Sequence, residues 1–247
     1  MDIEFIENPG VALLKKDKAL VVGDLHIGNE LALAREGVHV TGAEKALGTK
    51  ILAAYRESGA ERIVLLGDIK AGITYPDIAE YQLLREFFKP LSGIELHIAK
   101  GNHDSHLQEV LKQINVEVHI SNEIILGSAA FIHGTSMPSE EAMRKRFLFA
   151  AHLHALVRTG NSTERVWVAS NTSADAREAY EKYNKSMKLF IAPAANGLLG
   201  GKAIYDGINS SYLLFRKHMF NFRSAKAYSL SGELLGTVGK FAKQSMQ

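Results

Sequence analysis

Five short clusters in this chain share one design, in which an apolar run ends directly in metal-binding side chains and a turn follows. They are Gly23-Asp24-Leu25-His26, Gly67-Asp68, Gly101-Asn102-His103-Asp104, His133-Gly134 and His152-Leu153-His154. Short apolar runs bounded by charge or glycine read as buried strands. In a parallel or mixed α/β sheet the carboxyl ends of neighbouring strands open onto one crevice. A fold that lays these strands side by side therefore brings residues far apart in sequence to one place. Side chains i and i+2 of a straight strand share a face, so Asp24 with His26, and His152 with His154, are expected to address a common point.

The patterning between the clusters is α/β. Runs at Val11–Leu14, Ala19–Val22, 62–66 and 94–99 predict strands. Helices are expected where Leu47, Ile51 and Tyr55 recur between Thr41 and Gly59, where Tyr81, Leu84 and Phe88 recur between Pro76 and Pro90, and over 107–114. Proline fits a first helical turn and cannot continue an interior one, and glycine suits a C-terminal stop. From residue 116 the runs follow one another as strands at 116–120, Glu123–Leu126, Ala129–Ile132, Phe147–Ala150, 166–169 and 189–192, which predicts a second sheet. The polar, alanine-rich stretch 173–188 reads as an exposed helix or lid, and 227–239, with Ser231-Gly232 inside it, as a hairpin. With no internal repeat and no linker, residues 1–247 are expected to form a single domain.

Composition then narrows the chemistry. The chain has no cysteine, which excludes disulfides, zinc-thiolate sites and a cysteine nucleophile, and leaves His, Asp, Glu and Asn as ligands. A net charge of +2 suits an anionic substrate but is too small to single out nucleic acid. No apolar run approaches the roughly 18 residues of a membrane span, and the acidic N-terminus has no export signal, so a soluble cytoplasmic protein without a membrane partner is expected.

Carboxylates and imidazoles gathered in one crevice suit a pair of divalent cations. Two such ions about 4 Å apart lower the pKa of a bridging water and clamp phosphoryl oxygens, which is what hydrolysis of an anionic phosphoester needs. The pair needs a shared anionic ligand, for which Asp68 is the candidate. A mixed oxygen and nitrogen shell favours manganese, with iron, zinc or nickel as alternatives, over calcium. Taken singly each cluster is weak, since an aspartate after a strand is usually a cap or turn residue. Their joint occurrence in this order is specific.

That order, Asp-x-His, Gly-Asp, Gly-Asn-His-Asp, His-Gly and His-x-His, resembles the calcineurin-like metallophosphoesterase superfamily over roughly residues 19 to 155. The resemblance implies a four-layer α/β/β/α sandwich of two facing mixed sheets flanked by helices. It implies one metal held by Asp24, His26, Asp68 and His154, and a second held by Asp68, Asn102, His133 and His152. His103 would stabilise the phosphoryl group or protonate the leaving oxygen, with Asp104 orienting its ring. Within the superfamily the chain looks like the Icc-like archaeal phosphoesterases, related to ligase-associated DNA-damage-response endonucleases. The residues that suggest this are Gly28-Asn29-Glu30, Gly67-Asp68-Ile69-Lys70, Ala192-Pro193-Ala194-Ala195-Asn196-Gly197 and Gly200-Gly201. Two positions depart from the pattern: Ala151 replaces the usual glycine before His-x-His, and Thr135 stands where relatives often have a second histidine.

The expected activity is hydrolysis of phosphodiesters or phosphomonoesters by direct attack of water, with a phosphorylated substrate that includes nucleic acid and nucleotides. A non-catalytic metal-binding scaffold or a nucleic-acid-binding module on the same fold is the alternative. Outside the motifs, His97 and His119 are expected to pack or lie at the surface, and His106 is close enough to His103 to enter the pocket. Lys70 and Lys100 are expected to be solvated or in ion pairs, and Arg144-Lys145-Arg146 to be an exposed charged helix end.

Overall fold

Apolar runs become strands here because both of their faces are covered. A computed structural model describes residues 2–159, 162–205 and 212–244. The first sheet contains β1 (Ile3–Ile6), β2 (Val11–Leu14), β3 (Ala19–Val22), β4 (Arg62–Leu65), β5 (Glu95–Ala99) and β6 (His119–Ser121), in that spatial order. β1 to β3 pair antiparallel, and β3 to β6 pair parallel. The parallel strands are linked through α1 (Asn29–Arg35), α2 (Ala43–Ser58), α3 (Ile78–Phe88) and α4 (Leu107–Gln113).

Alternation along these strands decides the layering. Leu13, Leu20, Val22, Ile63, Leu65 and Ile98 pack with Leu47, Ile51, Leu84, Phe87 and Val110 of the helices. Their neighbours Ala12, Leu14, Val21, Val64 and Ala99 pack instead with Phe131, Phe147, Phe149, Trp167 and Phe190. That second group belongs to a seven-stranded sheet of β7 (Glu123–Leu126), β8 (Ala129–Ile132), β9 (Phe147–Ala150), β12 (Trp167–Asn171), β13 (Lys188–Ile191), β15 (Lys226–Tyr228) and β16 (Leu234–Thr237), ordered β16-β15-β12-β13-β9-β8-β7. A small third sheet joins β10 (Ala155–Thr159), β11 (Ser162–Arg165) and β14 (Lys202–Ala203). The outer face of the seven-stranded sheet packs Ile132, Leu148, Leu189 and Ile191 with Met143 of α5 (Glu140–Met143), Leu214 and Phe215 of α6 (Leu213–Arg216), and Phe241 of α7 (Val238–Gln244). The four-layer sandwich of two facing mixed sheets is therefore present.

The punctuation residues act as expected at several ends. Gly59 closes α2 with φ 68°, a left-handed conformation that glycine adopts without a Cβ penalty. Asp77 caps α3 by accepting the Glu80 N–H at 2.9 Å, and Pro90 sits in a single 3-10 turn that ends it. One expectation needs correction, and the boundary of another shifts. Residues 173–188 are neither an exposed helix nor a lid: one 3-10 turn at Ala174–Glu178 leads into loops, and Ala176, Tyr180 and Met187 pin the segment against the outer face of the second sheet. The Tyr180 hydroxyl also donates to Pro138 O at 2.6 Å. The hairpin at 227–239 turns through Gly232 at φ 88°, but its second strand stops at Thr237 because α7 begins there. β1 (Ile-Glu-Phe-Ile) and β10 (Ala-Leu-Val-Arg-Thr) were not singled out in the sequence, and β11 gives no apolar signal, since it reads Ser-Thr-Glu-Arg and pairs through its backbone.

Candidate metal centre

The five clusters meet where the two sheets face each other, on turns just past their strands. Cluster one follows β3, cluster two β4, cluster three β5, cluster four β8 and cluster five β9. The turns are interlocked. Leu25 N and His26 N both donate to Asp68 O at 3.2 and 2.8 Å, and Ala151 N donates to His133 O at 2.8 Å. Gly67, at φ 85°, lies so close to the third cluster that a Cβ would stand 2.6 Å from Ala99 O and from Gly101 N.

The straight-strand geometry expected for Asp-x-His and His-x-His does not hold. His26, Asp68, His152 and His154 have φ of 42°, 47°, 70° and 45°, left-handed values that cost side-chain-bearing residues about 1–3 kcal/mol each. Asp24 and His26 still share one point, as expected, whereas the fifth cluster's turn sends His152 and His154 to different places. His154 gathers with Asp24 and His26, whereas His152 gathers with Asp68 and His133, and within each group the ligand atoms lie within 4.8 Å of one another. His26, Asp68 and His103 form a third such group, which joins the other two.

Three of the histidines are oriented by their outer nitrogen. His133 Nδ1 donates to Leu66 O at 2.8 Å, His103 Nδ1 to Ala71 O at 2.6 Å and His154 Nδ1 to Gly200 O at 3.2 Å. A proton committed to a backbone carbonyl leaves Nε2 facing the centre, the arrangement that supports metal ligation. His133 Nε2 lies 3.2 Å from Asn102 Oδ1, 3.1 Å from His152 Nδ1 and 3.3 Å from Asp68 Oδ2. One N–H cannot serve three acceptors, whereas one cation among them can. His154 Nε2 lies 3.6 Å from Asp24 Oδ2, and Asp24 also accepts the His152 N–H at 3.0 and 3.3 Å from its two oxygens.

Electrostatics reinforce the geometry. Burial pushes His26 down to about 4 against the pull of Asp68 and Asp24, so the ring is neutral, and its buried Nε2 has no hydrogen-bond partner. A buried imidazole nitrogen without a partner is costly, and a divalent cation would satisfy it. Burial would also lower His133, but the hydrogen bond to Asp68 and the charges of Asp24 and Asp68 outweigh it and raise the ring to about 9. Burial would raise Asp68; His133, the His103 N–H and His26 instead hold it well below the usual carboxylate range. Negative charge concentrated in a water-poor site thus recruits a proton onto His133, at the position a cation would take. The residues present fit divalent metal.

Asp104 does not orient the His103 ring. Its buried carboxylate accepts Ile69 N–H and Gly101 N–H, both at 2.8 Å, and so ties the second cluster to the third, while the ring is held by Ala71 O. Ala151 is not among the residues with positive φ, and Thr135 is exposed beside His133. His106 is exposed, with its ring 5.8 Å from Tyr75 and its Nδ1 3.7 Å from Glu109, and joins none of the ligand groups. His97 bonds Glu95 at 2.7 Å and packs its ring on His119 at 5.6 Å. Arg144, Lys145 and Arg146 pair with Glu140, Glu141 and Asp2, so this basic group carries little free charge. Lys100 is exposed, and Lys70, against expectation, is fully buried.

Three residues behind the centre were missed or undervalued. Asn196 donates to Leu25 O at 2.8 Å, and its own N–H and that of Ala195 reach Asp24 O. Arg165 holds the same loop by donating to Ala194 O and Ala195 O at 2.5 and 3.1 Å. Buried Tyr212 donates to Ala151 O at 3.1 Å, and its hydroxyl would stand 2.5 Å from a Cβ on Gly134. The Pro-x-x-Asn-Gly turn signalled Asn196, but no local pattern marks Arg165 or Tyr212.

With this geometry in place, comparison with solved structures gives a clear parallel. The crystal structure of the Pseudomonas putida nuclease MPE superposes on 94% of this chain and 100% of its own, with a TM-score of 0.63 and 16% sequence identity. The two chains share a fold. The structure of Yfce, a phosphoesterase from E. coli, covers 88% of this chain and 96% of its own at 14% identity, but its TM-score of 0.42 is too low to support a shared fold. No protein-family model and no curated protein matches the sequence.

Proposed function

We propose that the chain is a metal-dependent phosphoesterase of the calcineurin-like type, a single domain over residues 1–247 holding two divalent ions. The observation that carries this reading is the place of Asp68: its Oδ2 lies 3.5 Å from His26 Nε2 and 3.3 Å from His133 Nε2, between two separate ligand groups. A shared carboxylate oxygen is what two closely spaced dications require. Asp24, His26, Asp68 and His154 would hold one ion, and Asp68, Asn102, His133 and His152 the other. The mixed oxygen and nitrogen donors favour Mn2+, with Fe, Zn or Ni as alternatives. Bound ions would supply an activated water and neutralise phosphoryl charge.

The protein's own groups do the rest. His103 is half-buried, its ring packs 4.7 Å from that of His26, and its Nε2 is left free by the Nδ1 bond to Ala71 O. That nitrogen is placed to contact the phosphoryl group; when it too is protonated, the imidazolium can give its Nε2 proton to the departing oxygen and return to the neutral Nδ1–H ring. The resemblance to Icc-like phosphoesterases and the fold shared with a protein described as a nuclease favour phosphodiesters of nucleotides or nucleic acid as substrates. Hydrolysis of bis-p-nitrophenyl phosphate beside p-nitrophenyl phosphate by metal-stripped protein, with and without Mn2+, tests the reading. Mn2+-dependent turnover that favours the diester and is lost in Asp68→Ala supports it. No turnover with any divalent ion, despite tight binding, would favour a non-catalytic scaffold.

A further inference from the structure

Lys70 follows the Asp68 turn, yet its side chain is 0% exposed, so it cannot reach a substrate phosphate. Its ammonium donates to Gly72 O and, at 2.7 Å, to Thr74 O. Among the described residues no carboxylate lies within ion-pair distance of it, and Glu80, Asp104 and Asp68 act on it only through their fields. A buried cation bonded only to carbonyls is expensive. The backbone it grips gains little from apolar packing. Ile73, Tyr75 and Ile78 are 60%, 45% and 80% exposed, so apolar burial does not hold this arm in place.

Polar ties take over that task along its length. Ile69 N–H goes to Asp104, Ala71 N–H to Ile27 O at 2.8 Å, Gly72 N–H to Glu80 Oε1 at 2.8 Å, and Ile73 O accepts from the Ser105 hydroxyl. In the middle of this clamped segment is Ala71 O, the acceptor 2.6 Å from His103 Nδ1. We propose that Lys70 is a positioning residue for the reaction: by gripping the carbonyls of Gly72 and Thr74, just beyond Ala71, it holds Ala71 O where it keeps His103 Nδ1 protonated and turns Nε2, the nitrogen that takes up and gives back the second proton, toward the centre. The inference rests on the role given to His103 above, and it adds a residue that never touches substrate.

Two measurements separate the clamp from that role. The first is the ¹⁵N signature of His103 in full-length protein loaded with diamagnetic Zn2+: the Nδ1–H tautomer in wild type, and a mixture with Nε2–H in Lys70→Met. The second is turnover of phenyl and p-nitrophenyl diesters of the same phosphate. If His103 protonates the leaving oxygen, Lys70→Met slows the poorer phenolate leaving group about tenfold more than p-nitrophenolate, and adds no further loss in a His103→Ala background. An unchanged His103 spectrum, or equal loss on both esters with a further loss in the double mutant, would overturn the proposal. A His103→Ala enzyme with no leaving-group bias would instead remove the role of His103, while the spectrum would still decide the clamp. Lys70→Gln, which keeps one donor, replaces the Met variant if that fails to fold, and an intermediate tautomer mixture is then expected.

Discussion

At the residue scale the centre depends on which atom of each side chain is already committed. Asp104 and His103 are neighbours in one motif, yet they do unrelated work. Asp104 is spent on two backbone N–H groups and His103 keeps a free nitrogen. Asp104→Ala therefore leaves two buried donors unpaired and should destabilise the fold by about 2–4 kcal/mol, measured by urea unfolding. His103→Ala should leave stability within about 0.5–1 kcal/mol of wild type and cut turnover by about a hundredfold or more. The reverse pattern would restore Asp104 to the catalytic role that the motif suggests. The donor types at the proposed ligands Asp24, His26, Asp68, Asn102, His133, His152 and His154 could all be read from the sequence, because donor chemistry is a property of the residue. The left-handed backbone at His26, Asp68, His152 and His154 could not, since it is imposed by turns that interlock across the chain.

Among the elements, the junction of α1 and α2 carries a second consequence. Glu44 is buried, accepts the Gly28 N–H at 3.2 Å and faces Glu30, which accepts the Ala43 N–H at 3.3 Å. Burial, followed by the hydrogen bond with Glu30, raises Glu44 from 4.5 to about 7. A carboxyl whose folded pKa lies above its unfolded value favours the native state in acid, and that contribution is lost as pH rises from about 4.5 through about 7. Glu44→Gln keeps an acceptor for Gly28 and removes the ionisation, so it should gain on the order of 2–3 kcal/mol relative to wild type between pH 5 and pH 8. Chemical denaturation at the two pH values checks this; equal shifts at both would refute it. Glu44 did not stand out in the sequence, and Glu30 did so only within Gly28-Asn29-Glu30, because helical periodicity shows which face is inward and not that a carboxylate sits on it. The same limit explains 173–188, whose scattered Ala176, Tyr180 and Met187 make no periodic stripe yet anchor a loop.

For the whole molecule, the two facing sheets were legible because the first sheet's runs are apolar on both faces and the runs from residue 116 follow one another as strands, which supplies a second sheet for one face while helices cover the other. What the pattern could not show was which clusters would interleave at the shared edge. Crowding carboxylates and imidazoles there leaves the metal-free protein with His26 Nε2 unpartnered and a proton held on His133. Divalent ions should stabilise the fold by about 2.7 kcal/mol per site at a hundredfold excess over Kd, raising Tm by roughly 5–10 °C per site. Thermal scans with and without Mn2+ read this directly, and an unchanged Tm would argue against a built metal site.

The central claim is that Asp68 is shared by two ions. Its most direct measurement is the stoichiometry of Mn2+ binding to metal-stripped wild type and Asp68→Ala, followed alongside hydrolysis of bis-p-nitrophenyl phosphate. Two ions per wild-type chain, activity that appears only as the second binds, and loss of both tight two-ion binding and turnover in Asp68→Ala are the predicted results. A wild-type chain that saturates at one ion with full activity, or an Asp68→Ala variant that still binds two ions and turns over, would contradict the account.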